Sequence, residues 1–280
     1  MTRALRALVE ELEQDRSLYE QDRLSLRIEA LERLEVYLDQ PAEEGVYLRA
    51  QALSARLEAA NSDLYRAIRS QIQRGAGGGT LLSWTHKSGL AEGEGYDFLD
   101  ELIIGVFDFE DPHVEPVPLV AEMVFYQPTP ARHIFDLIDR TALSGRDVLI
   151  DLGSGLGHVP LLVAICTGAH SIGIELEPAY IDCARRTAHR LNLNNVTFLQ
   201  EDAREADLSA GTVFYLYTPF TGTILRAVLD SLRREATRRR IRICTFGPCT
   251  PIIAEEQWLD GEGPFRTDRI AVFTSHMPAL

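Results

Sequence analysis

The sequence predicts an α/β protein in which a doubly wound, mostly parallel sheet follows an N-terminal helical domain. Three observations carry that prediction. From about residue 123 onward, short apolar runs rich in β-branched residues alternate with helical periodicity. The first of those runs ends in a glycine-rich loop that leads directly into a helix. Upstream of residue 75 the apolar residues recur only at the three-four spacing of amphipathic helices. A chain of 280 residues, 45% hydrophobic and 25% charged, has room for one medium domain with a smaller one attached.

In chain order, Leu24, Ile28, Leu31, Leu34 and Leu38 mark one helix face, which Pro41 ends. Val46, Ala50, Leu53, Leu57, Leu64 and Ile72 mark a second face, interrupted near Asn61 and Ser62. Residues 1–74 are therefore expected to form a helical hairpin or bundle. Such a hairpin serves either as a homodimer or partner-docking element or as a cap on the chain's own second domain. Residues 75–122 are expected to be a linker and lid-like segment. It opens with a flexible Gly75-Ala76-Gly77-Gly78-Gly79 break and offers Trp84, His86 and Tyr96 as candidate substrate contacts. Residues 123–280 hold the sheet, with strands predicted at 148–152, 171–175, 196–200, 213–217, 241–246 and 270–275. Helices are predicted between them at 157–167, 178–191 and 222–234.

Composition narrows the function classes. The net charge is −14, and residues 1–140 alone carry 26 acidic against 14 basic side chains. Such a chain repels a phosphate backbone, so nucleic acid is not an expected partner. The arginines around 238–242 read as a solvated helix end entering a strand. No apolar run approaches a membrane span, and the charged, amphipathic start lacks a signal-peptide core. The four cysteines form no CxxC pair, and no cluster has metal-ligand spacing, so no metal is expected. Reduced thiols and a cytoplasmic location fit this composition.

The chemistry concentrates in Asp147-Val148-Leu149-Ile150-Asp151-Leu152-Gly153-Ser154-Gly155-Leu156-Gly157-His158. Glycines permit positive φ and let a ligand press on bare backbone. The GxGxG spacing brings the third glycine one position earlier than in a dinucleotide fingerprint, and no GK[ST] is present for a phosphate loop. Asp151, two residues before the first glycine, suits an ammonium group better than a pyrophosphate. Glu175 ends the second predicted strand 22 residues after Gly153, where an acid accepts from a ribose diol. Asp202 follows the third strand and is placed to accept from an exocyclic adenine amine, with the Ala203 N–H available to a ring nitrogen.

The DxGxGxG run, Glu175 and Asp202 together resemble the class I S-adenosylmethionine-dependent methyltransferases, over a little more than half the chain. The resemblance implies a seven-stranded Rossmann-like sheet, S-adenosylmethionine as cofactor and S-adenosylhomocysteine as product. By the same likeness Asp151, Gly153, Ser154, Gly155 and Gly157 face the methionine part, Glu175 the ribose, and Asp202 with Ala203 the adenine. The order Tyr126-Gln127-Pro128-Thr129-Pro130 ahead of VLIDLGSGLGHV is similar to Dot1-type and related seven-strand protein lysine methyltransferases. That likeness implies that Tyr126 and Thr129 close over the cofactor. At the end of strand four, Leu216-Tyr217-Thr218-Pro219-Phe220 departs from both the Dot1 asparagine and the [DN]PP[FY] motif, so the acceptor atom stays open. Tyr217 and Phe220 are the expected acceptor-pocket residues, and Glu122 and His86 the candidate proton acceptors. The expected function is N-methylation of a protein side chain, a lysine amine. A small-molecule methyltransferase with a helical lid and a non-catalytic cofactor-binding module are the alternatives.

Overall fold

The computed structural model describes residues 2–38, 43–86, 93–112, 126–218 and 220–276. Strands β1 (Val148–Leu152), β2 (His170–Glu175), β3 (Val196–Gln200), β4 (Val213–Tyr217), β5 (Arg242–Phe246), β6 (Leu259–Gly261) and β7 (Ala271–Ser275) form one sheet. Its order is β3-β2-β1-β4-β5-β7-β6. The first five strands run parallel, while β7 is antiparallel to both β5 and β6. This is the Rossmann-like methyltransferase fold. The short edge strand β6 has no signature in the sequence, because three residues carry no detectable alternation.

The order reverses beside β1, whose neighbours are β2 and β4. Ligands of open α/β sheets bind at that switch point, beyond the carboxyl ends of the strands. One sheet face packs against α4 (Gly77–Thr85), α5 (Phe98–Phe107), α6 (Ala131–Thr141), α7 (His158–Cys166) and α8 (Pro178–Arg190). The other packs against α9 (Gly222–Ala236) and α10 (Cys249–Ala254). Period-two alternation sends Leu149, Val213, Tyr215 and Phe246 to the first core and Ile150, Phe214, Leu216 and Ile243 to the second.

The N-terminal helices α1 (Thr2–Gln14), α2 (Leu24–Leu38) and α3 (Glu44–Gln73) build a third core around Leu5, Val9, Leu34, Leu53 and Leu57. The later turns of α3 leave it: Leu64, Ile68 and Ile72 are buried in the sheet's first core. One continuous helix thus serves both units, and a boundary at residue 74 falls where α3 has already joined the sheet. Asn61, the interruption in the α3 pattern, is where the buried Arg27 guanidinium donates to Asn61 Oδ1 at 2.5 Å. Arg27 also donates to the carbonyls of Leu18 and Glu20, a polar seam between the two cores.

Two expectations for residues 75–122 are corrected. The glycine run is not a flexible break. Gly75 ends α3 in the left-handed region, with its N–H on the Ile72 carbonyl, and Gly77 and Gly78 begin α4. Any side chain at Gly77 would collide with Ile72, and one at Gly78 with the Ile165 carbonyl, so the run permits close helix packing. Nor are α4 and α5 a lid: Leu81, Trp84, Leu99, Leu102 and Val106 are core residues. Trp84 is 6% exposed with its ring 6.4 Å from Phe98, so it packs and is not a substrate contact. His86 is exposed at the end of α4, and Glu122 lies outside the described residues. No helix among the described residues is long and apolar enough to cross a membrane.

Candidate active site

The glycine loop follows β1 with Gly153, Gly155 and Gly157 at φ of 86°, 51° and 85°. L-residues pay for those angles, which is why glycine stands at each. The N–H groups of Gly153 and Ser154 bond the Ile174 carbonyl at 2.9 and 3.0 Å, tying the loop to β2. A Cβ on Gly155 would run into the Tyr126 ring, and one on Gly157 would meet Phe198 at 2.6 Å.

Glu175 closes the loop from the β2 side. One carboxylate oxygen accepts the Gly155 N–H at 2.9 Å. The other accepts the N–H groups of Leu176 and Glu177 at 2.7 and 2.9 Å. Three of its roughly four acceptor positions are therefore used by backbone, which fixes its orientation. Asp151 is 4% exposed. Burial first, and then the like charge of Glu175, raise its pKa well above the ordinary carboxylate range. The Ser154 hydroxyl is buried without a hydrogen-bond partner among the described residues. A buried carboxylate beside an unpartnered hydroxyl fits the ammonium and carboxylate of an amino-acid moiety, which supplies donors and acceptors to both.

Asp202 lies beyond β3. Arg204 engages both its carboxylate oxygens, at 2.6–3.1 Å, and lowers its pKa. Ala203 is half-buried against the α9 side of the sheet.

The opposite wall comes from residues 126–130. The Tyr126 ring lies 5.0 Å from Tyr180, and its hydroxyl is 3.1 Å from His158 Nδ1. Thr129 Oγ1 is 2.9 Å from the hydroxyl of buried Tyr215, which is paired in register with Asp151 on β1. Pro130 is the N-cap of α6, and Asp100 accepts the Ala131 N–H at 2.7 Å, so α5 and α6 anchor this wall. Burial pushes His158 down to about 4 and raises the phenols of Tyr126 and Tyr215. At neutral pH all three are uncharged. Tyr180 and Tyr215 were not singled out by sequence. Strand alternation would have found Tyr215, two residues before Tyr217 and therefore on the same face; nothing local marks Tyr180.

Tyr217 and Phe220 are not brought together. Tyr217 is half-buried on the Asp151 side of the sheet, its ring 4.8 Å from Phe246. Phe220, 6% exposed, packs with Ile150, Leu152 and Ile174 on the other side. The intervening Thr218 stands at φ 38°, in the left-handed region, where the chain leaves β4. Beside Tyr217, Tyr96 donates to the Pro128 carbonyl at 2.9 Å. Burial, then Tyr96 and Glu94, push Tyr217 up to about 12. The Gly93 carbonyl anchors this loop, accepting from Arg132 at 2.9 Å and lying 2.7 Å from His133 Nε2. No group of metal-ligating side chains occurs among the described residues.

Residues 143–232 match the family model of a methyltransferase domain. The matched stretch runs from just before β1 into α9 and holds the glycine loop, Glu175 and Asp202. A curated protein of Lactiplantibacillus plantarum, described as an uncharacterized RNA methyltransferase, is 33% identical over 90 residues, covering 31% of this chain and 20% of that protein. The chain thus spans about a fifth of the length of that relative. Among solved structures, an RNA methyltransferase from Salinibacter ruber in complex with S-adenosyl-L-homocysteine is 26% identical. It covers 54% of this chain and 94% of its own, with a TM-score of 0.42. The magnesium protoporphyrin IX methyltransferase of Synechocystis, solved with bound S-adenosylmethionine, is 17% identical, with 51% and 74% coverage and a TM-score of 0.38.

Proposed function

We propose that the full chain transfers the methyl group of S-adenosylmethionine to an amine, on a lysine side chain of a protein partner. The observation that supports this acceptor class is the lip beyond β4. There Tyr217 stands beside Tyr96 and Glu94, and those two belong to a stretch, residues 75–140, holding 12 acidic and 3 basic side chains. Aromatic faces attract cations, and an acidic surface steers a basic partner toward the site.

In this reading Asp151, Ser154 and the loop from Gly153 to Gly157 hold the methionine part. Glu175 takes the ribose, Asp202 and Ala203 the adenine, and Tyr126 and Thr129 cover them. When bound, S-adenosylmethionine supplies a methyl group already activated on a sulfonium. The protein's share is to orient the acceptor in line and exclude water. Tyr217 remains a phenol at neutral pH, so it orients through its ring and hydroxyl and does not act as a base. An amine that loses its proton to solvent before docking needs no base from the chain.

The description of the curated relative favours a second reading, with RNA as acceptor. Charge opposes it. In the arginine run, Arg238 and Arg239 bond Glu235, Arg239 also donates to the Leu208 and Gly211 carbonyls, and Arg242 bonds Asp147. Those cations serve the protein's own acceptors and offer little to a phosphate backbone.

The test is incubation of the full chain with methyl-labelled S-adenosylmethionine and cell extract, with Asp202→Ala as control. Protease-sensitive label in the precipitate supports the lysine reading, and amino-acid analysis then finds methyl-lysine. Nuclease-sensitive label replaces the acceptor with RNA, and label confined to the acid-soluble fraction replaces it with a small molecule. Absence of transfer to all three overturns the activity.

A further inference from the structure

His158 has no role in the reading above, yet it sits directly behind the glycine loop with contacts on both sides. It is the first residue of α7, immediately after Gly157, and 9% exposed. On one side its Nδ1 meets the Tyr126 hydroxyl at 3.1 Å. On the other its ring centroid lies 4.7 Å from Phe109 and 6.2 Å from Phe107. That aromatic backing is itself held. Arg190 donates to the carbonyls of Phe107 and Asp108, and Arg69 of α3 bonds the Asp108 carboxylate at 2.8 Å.

We propose that His158 is a positioning residue that holds the Tyr126 ring across the glycine loop. The argument is geometric. The Tyr126 ring occupies the space a side chain at Gly155 would need, so its placement sets how the loop is covered. A tyrosine in a chain segment without regular structure keeps one ring position only if its hydroxyl is tethered and its faces are packed. Tyr180 packs the ring, and the hydroxyl is held twice, accepting from the Leu156 N–H of the loop and meeting His158 Nδ1. As a neutral imidazole with its proton on Nε2, His158 accepts at Nδ1 from the phenol. Its orientation is fixed by Phe107 and Phe109, and through Asp108 by a helix of the N-terminal unit. The N-terminal helices thus reach the cofactor loop through a continuous line of contacts.

The role of the loop as a cofactor cradle rests on the proposed function; the tether itself does not, and the experiment separates them. Amide hydrogen exchange of the ligand-free full chain is compared with calorimetric affinity for S-adenosylhomocysteine in Tyr126→Phe, His158→Phe, the double variant and His158→Asn. His158→Phe keeps an aromatic ring against Phe109 and removes the acceptor. His158→Asn places an amide oxygen where Nδ1 stood. The expected result is faster exchange across 153–157 in Tyr126→Phe and His158→Phe, with about fivefold weaker binding in His158→Phe, the effect of one lost hydrogen bond, and a larger loss in Tyr126→Phe, which also gives up the Leu156 contact. The double variant matches Tyr126→Phe, and His158→Asn restores most of the protection and affinity. Additive losses in the double variant, or unchanged exchange in a folded His158→Phe, overturn the tether. If His158→Phe does not fold, the pair Tyr126→Phe and His158→Asn decides: the tether falls if Asn shows losses that add to those of Phe at 126. A wild type that binds no S-adenosylhomocysteine overturns the cofactor reading, while exchange still decides the tether.

Discussion

The glycine loop after β1 and the lip at the ends of β4 and β5 lie at the same edge of the sheet and are made in different ways. The loop is built from consecutive backbone. Three glycines at positive φ, two N–H bonds to the Ile174 carbonyl and one to Glu175 define it within 23 residues of sequence. The lip is assembled from Tyr96, residues 126–130, Tyr217 and Phe246, which lie far apart in the chain and meet through side chains. A backbone site holds what every member of a fold class binds, whereas a side-chain site is free to vary with the acceptor.

The sharpest way to break this contrast is Gly155→Val. A φ of 51° and the Tyr126 ring both exclude a β-branched residue, so S-adenosylmethionine affinity falls about 100-fold. Calorimetry measures it, and unchanged affinity would show that the loop is not the cradle. Tyr217→Ala should do the opposite. Acceptor kcat/KM drops about tenfold from the lost aromatic face. Cofactor affinity stays as it was, because Tyr217 packs on Phe246 at the lip of β4 and β5. Equal losses in both parameters would merge the two halves into one.

The same contrast explains what was legible in the sequence. That Asp151, the glycines and Glu175 stand together at the ends of β1 and β2 is legible because strand, loop and helix are neighbours in sequence and the φ constraints select glycine. The five parallel strands were found for the same reason. Phe220 does not join Tyr217, because a spacing of three residues does not reveal that the chain leaves β4 through a left-handed Thr218 and that Phe220 belongs to the other core. The lid reading does not hold for α4 and α5, because glycine signals freedom in sequence and close helix packing in space. Gly77 and Gly78 have their neighbours at Ile72 and Ile165, and only the folded chain supplies the second of these. Tyr180 and Phe109 became visible only once Tyr126 and His158 had been brought against them.

Asp151 tests the loop from the side of stability. Its pKa is raised in the folded chain, so folding favours the protonated acid. The stability it contributes is present below the ordinary carboxylate range and lost as pH rises through the raised value. Asp151→Asn fixes a neutral side chain, so the ligand-free variant melts a few degrees higher at neutral pH, about 1 kcal/mol of stability. The variant also gains less from added S-adenosylmethionine, since the ammonium loses its counter-charge. Thermal melts with and without ligand measure both. A ligand-free variant less stable than wild type would mean that a cation already pairs with Asp151.

The smallest expected effect lies at the adenine end. In the proposed reading Asp202 meets the adenine amine, yet Arg204 holds both of its oxygens. An ion pair this exposed contributes at most about 1 kcal/mol, so it competes with a ligand without excluding it. Arg204→Gln therefore tightens S-adenosylmethionine binding by about two- to fivefold at low salt, and less at high salt, where the pair is already screened. Titration at two ionic strengths reads the difference. Weaker binding at both would give Arg204 the opposite role: it would then be the clamp that aims Asp202 at the ring. The adenine end would in that case resemble the lip, where side chains set the geometry, more than it resembles the backbone loop beside it.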